Sequence, residues 1–254
     1  MNGMELQPLI RQDVPFVRDG QVVRFILDEE ARPAWSKALE GALNGVDLCM
    51  PQRYQAQRKI MTGDTRRKRF VDFVSGAHGV KVDLASGPSG YFAAMLDRLE
   101  DDDIFIVTDA CPSVIAAHAK ACERGNCFIF DVDLDQRLPF ADESVDAFSG
   151  NLLNNVDHYA ELIREIHRCL KPGGRFAAIE LFFDHGCKTF EHLNAQGAVW
   201  ASFETFMAFC EGVGFRYLDS DVLLTRKGRI AEGDLYPLDP DDGSTDRTIY
   251  FEKR

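Results

Sequence analysis

The 254-residue chain predicts an α/β fold in which a largely parallel sheet is covered by helices. Three observations carry that expectation. From about residue 80, short apolar runs alternate with stretches of helical periodicity. A glycine-rich turn joins the first run to the first helix. The second run, residues 104–108, is almost wholly apolar, as a strand covered on both faces requires.

Residues 79–84 read as the first strand, followed by Gly-Pro-Ser-Gly and an alanine-rich helix to about residue 99. Residues 104–108, 128–130 and 145–148 read as the second, third and fourth strands. A helix over about 112–123 opens on Pro112, which suits a first helical turn. Residues 157–170 give the clearest helix, with Leu162, Ile163, Ile166, Cys169 and Leu170 on one face. Lys171-Pro-Gly-Gly stops it, and residues 175–183 form a fifth strand. A helix over about 202–211 ends at Gly212-Val-Gly. Residues 215–224 and 248–251 then close the sheet as an antiparallel pair, with the acidic stretch 239–243 as a solvated loop between them. The first 75 residues break the alternation: 34–43, 54–61 and 65–74 look helical. They read as a cap (1–75) on the main domain (76–254), not as an independent unit.

Charge narrows the partners. The chain has 29 basic and 41 acidic residues, a net charge of −12, which repels phosphate backbones and anionic lipid. Neither a nucleic-acid nor a membrane partner is expected. The one dense basic run, Arg66-Arg-Lys-Arg69, reads as a solvated helix face. No run approaches the roughly 18 apolar residues of a membrane span, and Met1-Asn-Gly-Met-Glu5 has no leader character. Seven cysteines, odd in number and without a C-x-x-C pair, point to the reducing cytoplasm and to neither a disulfide scaffold nor a zinc site.

Chemistry gathers where strands end. Val82-Asp-Leu-Ala-Ser-Gly-Pro-Ser-Gly90 lies at the first strand-to-helix turn, where glycines admit a close ligand and helix amides are free. Asp109 closes the second strand 19 residues beyond Gly90, placed to accept both hydroxyls of a ribose or to cap the following helix. Asp133, after the third strand, suits the exocyclic amine of an adenine, with Leu134 against its ring. No basic cluster at these tips suggests a diphosphate. Carboxylates there suit a cationic adenosine cofactor.

With these residues in place, the chain resembles class I S-adenosylmethionine-dependent methyltransferases of the small-molecule type 11 group. Four segments match in order over about residues 80–183: the 82–90 turn, Val-Thr-Asp109-Ala-Cys-Pro112, Asp133 through Leu138-Pro-Phe-Ala-Asp-Glu-Ser-Val-Asp146, and Glu165-Ile-His-Arg-Cys-Leu-Lys-Pro-Gly-Gly-Arg-Phe176. The resemblance implies a Rossmann-like, doubly wound sheet of seven strands, mostly parallel with an antiparallel last strand, beneath the helical N-terminal cap. It implies that Asp83, Ala85, Ser86, Gly87 and Gly90 surround the methionine moiety of S-adenosylmethionine. Asp109 and Ala110 would lie at the ribose, Asp133 and Leu134 at the adenine, and Gly150 and Asn151 beside the sulfonium. Ala85 and Ser89 replace glycines of the family pattern, which predicts a loop set slightly farther from the cofactor. Residues 15–26 are faintly similar to a segment that follows a zinc ribbon in some relatives; the ribbon's cysteines are absent, so no metal is expected.

Methyl transfer is an in-line substitution that needs a base only where the acceptor must lose a proton. His158, His185 and His192 are the candidate bases, with Tyr54 from the cap; His167 reads as structural. No N-P-P-Y or D-P-P-Y follows the fourth strand, where Asn151-Leu-Leu-Asn-Asn155 stands, which disfavours amino groups of nucleic-acid bases. An aromatic-rich stretch (Phe182, Phe183, Phe190, Leu193, Trp200, Phe203, Phe206, Phe209) suits a lid over a small, partly apolar acceptor. Oligomeric state is left open. Two alternatives stand beside this expectation. One is a methyltransferase-like binding or scaffold protein without catalysis. The other is a nicotinamide-dependent reductase, disfavoured because no tyrosine has lysine four positions later.

Overall fold

Apolar residues of even and odd number along each central run point to opposite sides, so each run needs cover on both faces, and two cores result. Ile106, Phe128 and Phe130 enter one core; Phe105, Val107, Cys127 and Ile129 enter the other. A computed structural model describes residues 6–229 and 236–254 of the chain, so the amino-terminal residues read above for leader character lie outside them.

The strands are β1 (Val17–Asp19), β2 (Val22–Arg24), β3 (Val80–Leu84), β4 (Ile104–Asp109), β5 (Cys127–Asp131), β6 (Val145–Asn151), β7 (Leu170–Phe183), β8 (Phe215–Lys227) and β9 (Gly243–Lys253). They form one sheet in the order β1-β2-β5-β4-β3-β6-β7-β9-β8. From β5 to β7 all neighbours are parallel, and β9 runs antiparallel between β7 and β8. The seven expected strands are all present, with the chain's last strand antiparallel. The correction lies at the other edge. The β1–β2 hairpin adds two strands, β2 running parallel to β5, so the N-terminal region is not wholly helical. Three-residue strands are too short to show an alternation of their own, and half their register comes from β5.

The helices are α1 (Ala34–Leu43), α2 (Met50–Gly63), α3 (Thr65–Ser75), α4 (Ala93–Leu96), α5 (Pro112–Ala121), α6 (Tyr159–Cys169), α7 (Lys188–Ala195) and α8 (Phe203–Val213). The helix expected to run to residue 99 shrinks to the four residues of α4. The sequence pattern predicts no helix at α7. Its amino terminus is capped by Asp242, which accepts from Lys188 N, Thr189 N and the Thr189 hydroxyl at 2.9, 2.9 and 2.5 Å. The acidic stretch before β9 is therefore not all solvated loop: Asp242 is buried. The Arg66–Arg69 run is paired with acids, Arg66 with Asp64, Lys68 with Asp72, and Arg69 with Asp219 and Asp221. Among the described residues no helix is long and apolar enough to cross a membrane.

The cap is fastened to the sheet by one buried ion pair. Arg32, 6 % exposed, donates through both terminal nitrogens to the Asp131 carboxylate at 2.8 Å, and Nη1 also reaches the Ala110 carbonyl at 2.8 Å. Removing the cation leaves Asp131 buried and unpaired, so Arg32→Ala should lower the unfolding free energy by about 3–5 kcal/mol. Lys68→Ala, at an exposed helical pair, should change it by less than about 1 kcal/mol. Urea unfolding of the two variants checks the contrast.

Candidate active site

Four parallel strands deliver their carboxyl ends side by side. The register pairs Asp109 with Asp131, Asp83 with Val107 and Ser149, and Leu84 with Gly150. Chain order reverses between β3 and β6, the crevice where open α/β sheets bind ligands.

The turn after β3 is laced onto β4. Ala85 N donates to Thr108 Oγ1 at 3.2 Å, Ser86 N to the Thr108 carbonyl at 2.9 Å, and Gly87 N to Asp109 Oδ2 at 2.9 Å. Asp109 Oδ1 takes Cys111 N at 2.8 Å, so one carboxylate ties the glycine-rich turn to the start of α5. Ala85 sits at φ 50°, so the backbone keeps the left-handed path a glycine would follow, at a cost of about 1–2 kcal/mol. At Gly90 (φ 70°) an added Cβ would fall 2.6 Å from the Tyr54 ring. The Tyr54 hydroxyl meets His118 Nδ1 at 2.7 Å, and His118 Nε2 donates to the Gly87 carbonyl at 2.9 Å, which makes Nδ1 the acceptor. Burial drives the His118 pKa down to about 4. Tyr54 thus belongs to the packing of the glycine turn and not to an acceptor site, which corrects its place among the candidate bases.

Asp83 is buried, held by the hydroxyls of Ser149 and Ser86, each 2.7 Å away. Burial raises its pKa to about 6, against the lowering effect of those two donors. Asp109 also rises to about 6 by burial, against its amide partners. Among the described residues neither makes an ion pair with lysine or arginine; hydroxyls and main-chain amides hold them instead. Two such buried carboxylates fit a ligand that brings its own positive charge. Val132 N donates to the Asp109 carbonyl at 2.9 Å, which sets the following turn beside β4; in it Asp133 is half-buried and Leu134 buried. Burial raises Asp133 as well. The Ala110 carbonyl accepts from Ser36 Oγ at 2.6 Å as well as from Arg32. Gly150 and Asn151 end β6, next to β3.

Beyond β6 and β7 lies a cavity of about 750 Å³. Its walls come from Leu152, residues 154–161, Leu181 and Phe183 of β7, Leu193 of α7, residues 196–200, and Tyr236. His158 lines it, with Nδ1 3.3 Å from Asp135 Oδ1. His185 and His192 are exposed and do not line it; His185 Nε2 instead meets Glu204 at 3.0 Å. Of the aromatic stretch, Phe183, Leu193 and Trp200 face the cavity, whereas Phe182, Phe203 and Phe206 pack in the core. His167 packs edge-on against Phe215.

Glu180 of β7 was missed by the sequence reading. It is fully buried and accepts from Leu153 N at 3.1 Å, Asn154 N at 3.4 Å and the Tyr159 hydroxyl at 3.0 Å. Burial raises its pKa to about 8. The available signal was one acid inside the otherwise apolar run after Arg175.

The sheet order, the glycine turn and the buried carboxylates at the strand ends have the form of a nucleotide-type α/β site. A methyltransferase-domain model matches residues 82–178, so this segment is a methyltransferase domain of the type 11 group, on the class I fold whose cofactor is S-adenosylmethionine. The chain is 34 % identical over 133 residues to the ubiquinone/menaquinone biosynthesis C-methyltransferase UbiE of Desulfotalea psychrophila, covering 50 % of this chain and 53 % of that one. It is 32 % identical over 147 residues to the same-named protein of Rubrivivax gelatinosus, covering 56 % of each. It thus spans about half the length of these curated relatives. The fold is shared with the geranyl diphosphate C-methyltransferase of Streptomyces coelicolor A3(2), at 14 % identity, a TM-score of 0.55, and coverage of 74 % of this chain and 76 % of that one. The [4+2]-cyclase SpnF is similar at 20 % identity and a TM-score of 0.53, over 74 % of this chain and 80 % of its own.

The raised carboxyls have a consequence for stability. Asp83 and Asp109 titrate near 6 when folded but near 4 when unfolded, so the native state holds their protons harder. Each therefore removes stability as pH rises from about 4 to about 6, by roughly 3 kcal/mol if the shift is fully realised. Asp83→Asn should abolish its share. Unfolding free energies measured across that window should fall less steeply with pH in the variant than in the parent.

Proposed function

We infer that the chain transfers a methyl group from S-adenosylmethionine to a small, partly apolar acceptor held in the cavity beyond β6 and β7. The observation that carries this reading is adjacency. The cavity begins at Leu152, one residue past β6, and Gly150 of β6 is paired with Leu84 at the start of the glycine turn. Donor and acceptor positions so placed meet across the switch point.

Bound S-adenosylmethionine would supply a methyl on an already activated sulfonium leaving group. Asp83 would offer its buried charge to the donor's cationic end, Asp109 would receive the ribose hydroxyls, and Asp133 with Leu134 would receive the adenine. The protein's contribution is then alignment: an acceptor atom held about 3 Å from the methyl, in line with the breaking bond. The cavity walls, aromatic at Phe183, Trp200 and Tyr236, support an apolar acceptor. The names of the two relatives, C-methyltransferases of ubiquinone/menaquinone biosynthesis, support an acceptor of the quinone kind. Of the three candidate histidines, His158 keeps a place at the acceptor and is the one we retain as base. Residues 1–75 serve as a cover for the donor turn, supported by the contacts of Arg32, Ser36 and Tyr54. Seven free cysteines support a reducing cytoplasm.

One observation favours the non-catalytic binding reading: Ala85 and Ser89 stand where the family pattern has glycines. Titration calorimetry and a metabolite extract supplied with labelled methyl donor separate the two. Asp109→Ala should weaken S-adenosylmethionine about 10- to 100-fold, as loss of hydrogen bonds to a charged group implies. Unchanged affinity would overturn the ribose assignment, and tight binding with no label transferred to any metabolite would favour the non-catalytic protein. His158→Ala should lower label transfer while leaving donor affinity at the parent's value.

A further inference from the structure

Glu180 is costly where it stands. A carboxyl cut off from water loses hydration that three hydrogen bonds restore only in part, and apolar neighbours would pack there without that penalty. Its three donors share a destination. Leu153 N and Asn154 N belong to the short loop that opens at Leu152, itself in left-handed backbone at φ 55°. The third is the hydroxyl of Tyr159, whose ring stacks on Phe206 with centroids 5.6 Å apart. Leu152, Asn154 and Tyr159 all line the cavity. Asn154 is held a second time, its Nδ2 donating to the Leu181 carbonyl at 3.1 Å. The carboxyl thus sits beneath one wall of the acceptor cavity and fixes the residues that shape it.

The surrounding charges leave that carboxyl unneutralised. Arg247 stands opposite Glu180 in the β7–β9 ladder, but its guanidinium lies over the Phe203 ring at 4.5 Å. Cys210 of α8 and Tyr159 of α6 are the other titratable groups acting in its neighbourhood, and neither is a cation. Among the described residues lining the cavity none is lysine or arginine; His158 lines it with its ring beside Asp135, and Asp157 and Glu161 stand at its rim.

Resting on the acceptor reading above, we propose that Glu180 is a positioning residue that sets this cavity's specificity. Its carboxylate fixes the 152–155 loop and the Tyr159 hydroxyl, so that the wall offers hydrogen-bonding groups to an uncharged acceptor and repels an anionic one. Neutral ring compounds with a hydroxyl or carbonyl are preferred over carboxylates and phosphates.

Because burial lifts the Glu180 pKa to about 8, the repulsion strengthens as pH rises through that value and the carboxyl loses its proton. The test uses two isosteric probes, 2-naphthalenemethanol and 2-naphthoate, titrated calorimetrically into the full chain without methyl donor. The parent should bind the alcohol at least about tenfold more tightly than the carboxylate at about pH 9, with the preference shrinking severalfold by about pH 7. In Glu180→Gln the preference should vary little with pH. Tyr159→Phe should weaken the alcohol at both pH values and keep the pH dependence, a pattern that loosened packing alone would not produce. A parent that binds naphthoate as well as the alcohol at the higher pH, or whose preference ignores pH, would overturn the proposal without recourse to any variant. Since no methyl donor is present, failure of methyl transfer would count against the enzymatic reading and not against this one.

Discussion

The site depends on buried carboxylates satisfied by donors other than cations. Asp109 is the clearest case. Its two oxygens accept Gly87 N and Cys111 N, so a single side chain holds the glycine-rich turn against the end of β4 and caps the approach to α5. Backbone amides in a tight turn must find acceptors, and a carboxylate between two turns satisfies one from each. The cost is desolvation of the charge, expressed as a pKa raised to about 6. Asp83 repeats the arrangement with two serine hydroxyls in place of amides. What the fold spends in solvation it holds as an oriented negative potential at the strand tips.

The sheet carries buried carboxylates on both sides of the switch point. Asp83 and Asp109 belong to β3 and β4, on one side; Glu180 belongs to β7, on the other, where its donors line the cavity. The register keeps the two sides close, because Leu84 pairs with Gly150 and β6 pairs in turn with β7, Asn151 standing opposite Ile179. The net charge of −12 first argued only against polyanionic partners. Three of its acids now have definite places: Asp83, Asp109 and Glu180 are buried and held by hydroxyls or main-chain amides. Most of the others are surface acids, many paired with arginine or lysine.

The central strands were legible because burial on both faces writes itself as apolar runs, and the glycine turn because few residues tolerate its backbone. Asp109 and Asp133 were found from their place at strand ends and Asp83 from the family resemblance, and the sheet does bring those ends together. What stayed hidden depended on partners remote in sequence. The β1–β2 hairpin takes its register from β5, over a hundred residues away. Asp242 looked like loop until α7 supplied amides for it to cap. Glu180 looked like an isolated acid in a strand, because its donors lie 21 to 27 residues earlier on a separate loop and helix. His185 and His192 followed the right strand, but their backbone turns them to the surface, which no local pattern records.

The cap bears on the turns after β3 and β4 more directly than its place outside the matched domain implies. Arg32 and Ser36 both donate to the Ala110 carbonyl, and Glu40 accepts Ser113 N at 2.9 Å, so α1 and its approach grip the turn after β4. Arg53 reaches the Pro88 carbonyl at 3.1 Å and Tyr54 covers Gly90, so α2 grips the turn after β3. These are the two turns that Asp109 ties together from below. A cap that merely shielded apolar surface would have no need of a buried arginine, whose desolvation is repaid only by well-formed partners. That Arg32 is buried, and spends its donors on Asp131 and on the residue after Asp109, makes the cap part of the scaffold that holds the turns after β3 and β4.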